Sequence, residues 1–317
     1  MKIEKKTFLR EFLNFYWLRP ENALMLYQRS LSYRKTLRFF DIKNDSIDIS
    51  CGDGVFSFLT FGGQISADSD MFRGIKYEKN ISRKIDNFDF YDEDYFIKVK
   101  KKPIIKYSHG IDLKINLLKK AHKLNFYTTL QKANNNYRIP FPNNKFSYTY
   151  SNSTYWIKDY SRHINDIIRI TKKNGIIVLQ IKNNSALSFK ENFFFKKTFG
   201  NRFIKIIDAG RYNSWKFLKS NTEIYNIFKN NKEVELLEIT PIHGNIMPEI
   251  WNFGLRPIFQ PLSKMVNNLN KKNRAQVKEE FIEIIFNLFE KYITNYNPGL
   301  FSKKRTEIEY TYVLRKK

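Results

Sequence analysis

The chain has 317 residues, of which 42% are hydrophobic and 16% are aromatic, and this apolar content excludes wholesale disorder. Its single cysteine, Cys51, excludes a disulfide scaffold and a cysteine-based zinc finger. Its four histidines lack metal-ligand spacing, so we expect no metal site. The 56 Lys and Arg against 31 Asp and Glu give a net charge of +25, which favours nucleic acid, anionic lipid or phosphate-bearing partners. The abundance of Lys, Asn, Ile, Phe and Tyr is also the residue bias of an A/T-rich genome, so the charge of this basic protein alone identifies no partner.

The sequence shows no signal for export or for membrane insertion. No apolar run approaches the roughly 20 residues that a transmembrane helix needs. The basic residues at the N-terminus are followed by no apolar segment of the kind found in signal peptides. We therefore expect a cytoplasmic protein without a transmembrane segment, for which peripheral contact with a membrane stays open.

The order of the predicted elements indicates the fold class. Residues 1–44 are predicted to be helical, because Phe8, Leu9 and Phe12 recur at helical spacing and a similar pattern follows Pro20. From residue 46 onward, strands alternate with helices, which predicts a mostly parallel sheet covered on both faces. The last strand follows a long segment and ends the chain, so we expect it to be antiparallel. The predicted strands are 46–50, 104–111, 126–130, 146–150, 176–181, 234–240 and 307–314, and the predicted helices include 55–59, 116–124 and 160–171.

Two segments do not fit the alternation and are predicted to be insertions. The first contains an acidic and aromatic stretch followed by a basic run with Lys98, Lys100, Lys101 and Lys102. The second contains apolar residues at helical spacing, which argues against disorder. The predicted organisation is an N-terminal helical segment 1–44, a core 45–244 with the insertion 60–106, a helical cap 245–305 and a final core strand 306–317.

The sharpest local pattern is the segment 47–54, Ile-Asp-Ile-Ser-Cys-Gly-Asp-Gly, between a predicted strand and a predicted helix. A glycine-rich turn at this place lets a ligand approach the backbone closely and offers amide donors at the helix start. Ser57 stands where a dinucleotide-binding fingerprint requires its third glycine, and the absence of Gly-Lys-Ser/Thr excludes a P-loop. Cys51, within the turn, is interpreted as a small packed residue.

This segment resembles motif I of class I S-adenosylmethionine (SAM)-dependent methyltransferases (methyltransferase type 11-like), in which an acidic residue precedes three alternating glycines. Asp48 takes the acidic position, Gly52 and Gly54 take the last two glycine positions, and Ser50 stands where the first glycine is usual. The resemblance implies SAM as the cofactor. It also implies an α/β, Rossmann-like class I methyltransferase sheet with N-terminal helices and two insertions.

The segments that follow match the same family in order, over roughly residues 46–182. Residues 109–114 resemble the end of the family's second strand, where an acid accepts hydrogen bonds from both ribose hydroxyls, and this position is Asp112. The spacing rule of dinucleotide folds would instead favour Asp68 or Asp70, which we interpret as solvated loop acids.

Two later segments extend the match. Residues 132–146 resemble the region that contacts the adenine edge, and residues 168–175 resemble the helix and turn before the fifth strand. The resemblance implies cofactor contacts at Asp48, Ser50, Gly52, Gly54, Asp112, Leu113, Ala133, Asn134 and Ser151.

The acceptor side is expected beyond the carboxyl ends of the strands, where ligands bind in open α/β sheets. His243 follows the sixth strand directly and is the first candidate for a catalytic base. Tyr155 and Trp156 are candidates for the wall of the acceptor pocket, and Arg256 for holding an anionic acceptor, because guanidinium matches phosphate geometry. The segment 245–305 leaves from the same edge and is predicted to cover the acceptor. Its replacement by a linker should therefore spare SAM binding and abolish transfer.

The sequence identifies the acceptor less well than the cofactor. Residues 151–156 lack the Asn/Asp-Pro-Pro-Tyr/Phe tetrapeptide of nucleobase amine methylation, and one cysteine excludes pyrimidine C5 methylation. Arg19, Pro20, Glu21 and residues 251–257 show a weaker resemblance to methyltransferases of bacterial cell-surface glycan biosynthesis. This resemblance favours a small anionic or glycan-precursor acceptor, methylated on oxygen. Two alternatives stay open: an RNA-modifying methyltransferase, and a non-enzymatic binding protein on a degenerate methyltransferase fold.

Overall fold

The structure is a computed structural model of the chain. It describes residues 5–41, 43–73, 91, 95–153, 156–189, 197–203, 215, 217–243, 247, 250–251, 254–255, 258–294 and 307–317. In chain order its helices and strands are α1 (Lys5–Tyr16), α2 (Pro20–Thr36), β1 (Ser46–Ile49), α3 (Val55–Thr60), β2 (Gln64–Ile65), β3 (Val99–Lys101), β4 (Tyr107–Asp112), α4 (Ile115–Leu124), β5 (Tyr127–Lys132), β6 (Phe146–Ser151), α5 (Tyr160–Ile170), β7 (Thr171–Lys182), α6 (Asn221–Lys229), β8 (Val234–Ile242), α7 (Phe259–Asn267), α8 (Lys271–Thr294) and β9 (Glu309–Lys316).

The centre of the molecule is a seven-stranded sheet in the order β5-β4-β1-β6-β7-β9-β8. The first five of these strands pair in parallel, whereas β9 lies antiparallel between β7 and β8. This arrangement confirms the predicted α/β class, with a mostly parallel, Rossmann-like sheet and an antiparallel last strand. No described helix is both long and apolar enough to cross a membrane.

The carboxyl ends of the parallel strands meet at one edge of the sheet, which we call the carboxyl edge. There β1 ends at Ile49, which is in register with Ser151 of β6. β8 also ends at this edge and β9 begins there, because Glu309 pairs with both Lys182 of β7 and Ile242 of β8. The opposite side of the sheet is called the amino edge. Residues that follow a parallel strand therefore share the carboxyl edge, whatever their separation in sequence.

Both faces of the sheet are covered, as expected for a central parallel strand such as β1. Ile47 and Ile49 join a core cluster that includes residues of α5 on one face. Asp48 lies between them and points to the other face, because successive strand residues alternate. α2 covers that second face, where Tyr33 stacks on Tyr150 with ring centroids 3.9 Å apart.

The predicted N-terminal helices are confirmed. α1 buries Phe8, Leu9 and Phe12, the residues whose spacing predicted it. α2 begins at Pro20, where proline is tolerated because the first helical N–H has no partner within the helix. The two helices pack on each other and on the sheet, so the N-terminal segment is part of the core.

The predicted boundary between α5 and β7 differs from the structure. Residues 168–175 are not a helix and turn, since α5 ends at Ile170 and β7 begins at Thr171. Thr171 has extended backbone angles, which suit its β-branched side chain. The pairing with β6 is irregular after Thr171, and Asn174 in this bulge has a φ of 62°. The sequence placed a turn within residues 168–175 correctly, but this turn is a bulge inside β7 and not a connection before the strand.

The insertion 60–106 carries a small two-stranded antiparallel sheet, β2 and β3, outside the main sheet. It also corrects one expectation. Asp70 is not solvated: its carboxylate is buried and accepts hydrogen bonds at 2.8 and 2.9 Å from Nη2 of Arg274 in α8. Asp68 is exposed, as expected. Asp70 therefore anchors this part of the insertion to α8, a helix far along the chain.

The described part of 245–305 is helical and packs on the N-terminal helices. Phe281 of α8 meets Trp17 edge-on at 5.9 Å, and Nη2 of Arg10 in α1 donates to Glu283 at 2.9 Å. Phe259 of α7 packs against Phe72 of the insertion. Because these contacts bury apolar side chains of other elements, the segment is structural, and its removal would not leave the rest unchanged.

Candidate functional site

The glycine turn after β1 has the backbone that its sequence demands. Ser50, Gly52 and Gly54 have φ values of 60°, 61° and 76°. Glycine adopts this left-handed region without a steric penalty, whereas it costs other residues about 1 kcal/mol. This cost explains why glycine is usual at the position of Ser50. A Cβ added to Gly52 would meet nothing within 4 Å, so the turn is open on that side. Gly54, in contrast, packs tightly against Tyr127, and a Cβ there would lie 2.8 Å from its ring.

Asp112 lies beside this turn, at the end of β4. Its Oδ2 accepts a hydrogen bond from the Gly52 amide at 3.0 Å, and its Oδ1 accepts one from the Lys114 amide at 2.8 Å. The pairing of β1 with β4 brings the two segments together, and the Cys51 amide donates to the carbonyl of Ile111 at 2.9 Å. A carboxylate has about four acceptor positions, so two amide bonds leave capacity for further donors.

The polar segment after β5 approaches the same turn. Asn135 Nδ2 donates to Ser50 Oγ at 2.6 Å, while Asn135 Oδ1 is buried and has no hydrogen-bond partner among the described residues. Asn135, which contacts the turn, directly follows Ala133 and Asn134, the two residues predicted here as cofactor contacts. Three consecutive asparagines, 134–136, were the available signal, and only the tertiary structure selects among them.

Leu113 and Asp48 occupy contrasting environments. Leu113, next to Asp112, is 49% exposed at the carboxyl edge. Asp48 is buried, and its Oδ2 accepts hydrogen bonds from Ser57 at 2.6 Å and Tyr127 at 2.8 Å. Burial raises the pKa of the Asp48 carboxyl to about 6, against the lowering effect of these two hydroxyls. The Asp48 carboxylate therefore ties β1 to α3 and β5 beneath the turn.

Asp53 is a residue of the turn that sequence reasoning missed. Its Oδ1 accepts from the Val55 amide at 3.0 Å, and burial raises the pKa of its carboxyl while Lys120 lowers it. Burial, with the Asp53 carboxylate as a second cause, also raises the pKa values of Tyr16 in α1 and Tyr95 in the insertion. Tyr95 of the insertion therefore lies close enough to Asp53 for the two charges to interact. An acid between two glycines was the only sequence signal.

The acceptor-side predictions fall on described and undescribed residues. Ser151 is buried at the end of β6, with its Oγ 3.2 Å from Ser153 Oγ. Trp156 is 38% exposed beyond the same strand. Tyr155 and Arg256 lie outside the described residues. Ser151 and Trp156 therefore share the carboxyl edge with the glycine turn.

His243 follows β8 at the predicted edge but is completely buried. Its Nδ1 lies 3.1 Å from Gln28 Oε1 of α2, and its Nε2 lies 3.7 Å from Glu309 Oε2. Burial lowers the pKa of the imidazole well below its usual value, and the charges of Arg29 and Lys182 lower it further. The imidazole is neutral at physiological pH, which is the form of a base, but only a rearrangement would bring an acceptor to it.

A charged cluster surrounds His243. Arg29 Nε and Nη2 donate to the two Glu309 oxygens at 2.6 and 2.7 Å, and Lys182 Nζ lies 3.6 Å from Glu309. Burial raises the pKa of Glu309, but Arg29 and the other cations outweigh it and lower the pKa to about 2. Trp215 and Trp251 stack beside Lys182, whose Nζ is 4.5 Å from the Trp251 ring. This contact places Trp251 at the carboxyl edge.

The two motifs that carried the weaker resemblance meet in the structure. Arg19 and Glu21 form a buried ion pair at the start of α2. Gly254 lies so close to Glu21 that a Cβ there would overlap its side chain. Trp251 Nε1 donates to Asn22 Oδ1 at 3.0 Å. The pair of motifs therefore forms one junction between α2 and the cap.

Comparisons with known proteins add similar structures but no close relative. No family model matches the chain, and no curated protein matches it. A SAM-dependent methyltransferase from Thermotoga maritima is similar over 99% of this chain and 99% of its own, with 12% identity and a TM-score of 0.41. A phosphoethanolamine N-methyltransferase of Haemonchus contortus, in complex with S-adenosylhomocysteine, is similar over 100% of this chain and 61% of its own, with 14% identity and a TM-score of 0.42.

Another similar structure is the [4+2]-cyclase SpnF, with 12% identity, a TM-score of 0.41 and coverage of 92% of this chain and 81% of its own. At these identities and TM-scores, the similarities carry no argument about what this chain binds. The fold assignment rests on the sheet described above, and the assignment of function rests on the site.

Proposed function

We propose that the protein is a SAM-dependent methyltransferase that acts in the cytoplasm. The observation that carries the proposal is the open, left-handed turn at Gly52 with the Asp112 carboxylate alongside it. An open glycine turn admits a ligand to the backbone, and an acid at the next strand end accepts ribose hydroxyls. The glycine turn and the Asp112 carboxylate are both intact. This argues against a non-enzymatic binding protein on a degenerate methyltransferase fold, because an inactive site need not keep the geometry of the cofactor site.

The residues around the turn fit the parts of SAM. Asp112 would accept the ribose hydroxyls, and Leu113 would pack on the adenine face. Ala133, Asn134 and the unpartnered Asn135 Oδ1 would meet the polar edge of the base. SAM supplies a methyl group on a sulfonium, which makes the carbon open to in-line displacement. The protein's part is to align the acceptor oxygen and exclude water.

The acceptor is proposed to be a small anionic or glycan-type molecule, methylated on oxygen. The net charge of +25 supports an anionic acceptor, and we retain Arg256 and Tyr155 in the proposal as acceptor contacts with Ser151 and Trp156. His243 is the proposed base: after the rearrangement that its burial requires, its neutral imidazole takes the hydroxyl proton at Nε2, next to Glu309. We also propose that the chain divides into a SAM-binding core, residues 45–244, and a cap over the acceptor, residues 245–305.

SAM binding is the direct test. Asp112→Ala removes the ribose acceptor, so its SAM affinity should fall by about 1–3 kcal/mol, or roughly 5- to 150-fold, in calorimetry. Asp68→Ala is the matched control, because Asp68 is an exposed acid at the spacing that dinucleotide folds favour, and it should bind SAM like the wild type. Unchanged SAM affinity in Asp112→Ala, with loss in Asp68→Ala, would overturn the assignment.

An RNA-modifying methyltransferase is the second candidate, supported by the net charge of +25. Labelled SAM distinguishes the candidates. Transfer of label to total RNA would favour the RNA candidate, whereas transfer to a small-molecule or glycan-precursor fraction would favour the first. SAM binding without transfer to any fraction of a complete cell extract would favour a non-enzymatic binding protein.

A further inference from the structure

Exposed lysines occupy the amino edge of the sheet, on the side opposite the glycine turn. Six strands each have a lysine at or next to their amino-edge end, although these lysines come from distant parts of the chain. The topology brings them to one edge because the starts of β1, β4, β5, β7 and β8 and the end of β9 lie there. They are Lys43 before β1, Lys106 before β4, Lys123 before β5, Lys173 in the bulge of β7, Lys232 before β8 and Lys317 after β9.

Acids also lie at the amino edge, at Asp41 and Asp45 before β1 and at Glu233 before β8. The connection between β3 and β4 differs, because residues 100–106 contain four lysines and no acid.

The connection between β3 and β4 adds an apolar group to the basic surface. Ile104 is 82% exposed, the most exposed large hydrophobic side chain among the described residues. Pro103 precedes it, and the exposed Lys101, Lys102 and Lys106 flank it. An exposed aliphatic side chain within a ring of lysines matches an anionic bilayer, where lysines meet headgroups and the apolar tip enters the interface.

We infer that the amino edge docks on an anionic membrane surface, with Ile104 as its apolar contact. A single-stranded nucleic acid would call for exposed aromatic side chains on which bases stack. Ile104 is the sole exposed large hydrophobic side chain in the connections named above, as far as the structure describes them, and it is not aromatic. The chemistry of the edge thus favours lipid headgroups over bases.

Docking in this orientation keeps the glycine turn away from the bilayer. A six-residue strand such as β4 spans roughly 20 Å from the amino edge to the carboxyl edge. The carboxyl edge then faces the aqueous side, so an acceptor would arrive from solution while the protein stays at the membrane.

Vesicle co-sedimentation of the full chain tests the inference. The vesicles are phosphatidylcholine alone, or phosphatidylcholine with roughly a third phosphatidylglycerol, and we expect binding only to the anionic vesicles, weakened by salt. The triple variant Lys101→Gln, Lys102→Gln, Lys106→Gln should bind at least tenfold more weakly, because each lysine near the surface contributes about fivefold. Ile104→Asp should weaken binding as well.

Matched controls separate the edge from the total charge. Lys264→Gln, Lys271→Gln, Lys272→Gln removes the same charge from exposed positions of α7 and α8, and Met265→Asp places the same acid on another exposed apolar position. Both controls should bind anionic vesicles like the wild type, and circular dichroism melting confirms folding. Equal losses in both triple variants, or equal binding to neutral vesicles, would overturn the inference. If the edge-lysine variant lost binding to a short single-stranded RNA but kept its binding to anionic vesicles, the partner of this edge would be a nucleic acid and not a membrane.

Discussion

At the scale of single residues, Asp48 is a carboxyl group that the fold holds at an energetic cost. It is buried between β1, α3 and Tyr127, with two hydroxyl donors. Its pKa rises from 3.8 to about 6 in the folded chain, which corresponds to about 3 kcal/mol. A raised folded pKa means that the stabilising effect is present below pH 4 and is lost as pH rises through 6.

The substitution Asp48→Asn tests this coupling. The stability of the wild type relative to Asp48→Asn should fall by about 3 kcal/mol between pH 4 and pH 7, measured by urea unfolding at several pH values. The comparison is between two proteins, so the titration of buried His243 cancels. If the stability difference between the wild type and Asp48→Asn did not change with pH, the buried environment of Asp48 would be contradicted.

At the scale of elements, α8 is fixed to the rest of the molecule by ion pairs of unequal burial. Arg274 reaches buried Asp70, whereas Arg10 of α1 meets the half-exposed Glu283. Removing one partner of a buried pair leaves an uncompensated charge, and an exposed pair contributes little. The position of α8 therefore depends on Asp70 more than on Glu283.

Two variants of matched chemistry compare these pairs. Arg274→Met should lower the free energy of unfolding by about 3–5 kcal/mol, because the Asp70 carboxylate then keeps the Phe72 amide but has its remaining cation, Lys278, 4.0 Å away. Arg10→Met should lower it by less than about 1 kcal/mol. Urea titration followed by circular dichroism gives both values. Similar losses in the two variants would show that the buried pair does not control the docking of α8.

At the scale of the whole molecule, the segment 245–305 completes the apolar core around α1. Ile282 and Phe286 of α8 are buried in the same cluster as Phe8 and Phe12. Without α8, the apolar surface of α1 would face water, at about 25 cal/mol for each Å² exposed. We therefore expect the segment 245–305 to be required for folding.

Replacement of 245–305 by a short linker should abolish cooperative thermal unfolding, because α1 and the insertion lose their partners. Circular dichroism melting of the purified deletion protein measures this, with the full chain as the reference. A deletion that melts cooperatively near the wild-type temperature and still binds SAM would restore the simpler picture of a detachable lid.

Local patterns in the sequence were enough for the strands of the main sheet and for the position of the glycine turn. The alternation of strands and helices predicted the seven strands of that sheet, and the antiparallel last strand followed from its place at the end of the chain. The glycine pattern placed a turn at Gly52 and Gly54, and the structure has a left-handed backbone there and at Ser50. Asp112 was predicted from the family resemblance, and the parallel pairing of β1 with β4 brings it beside the turn.

Tertiary structure alone decided what surrounds these groups. Asn135 meets Ser50, the charge of Asp53 acts on Tyr95, and Asp70 is buried against Arg274, although each pair is distant in sequence. No local pattern encodes burial by a remote element, because hydrophobic packing has no direction and depends on which surfaces meet. The same reason explains His243: the sequence placed it at the carboxyl edge, while the packing of α2 and β9 determined that it is buried and neutral.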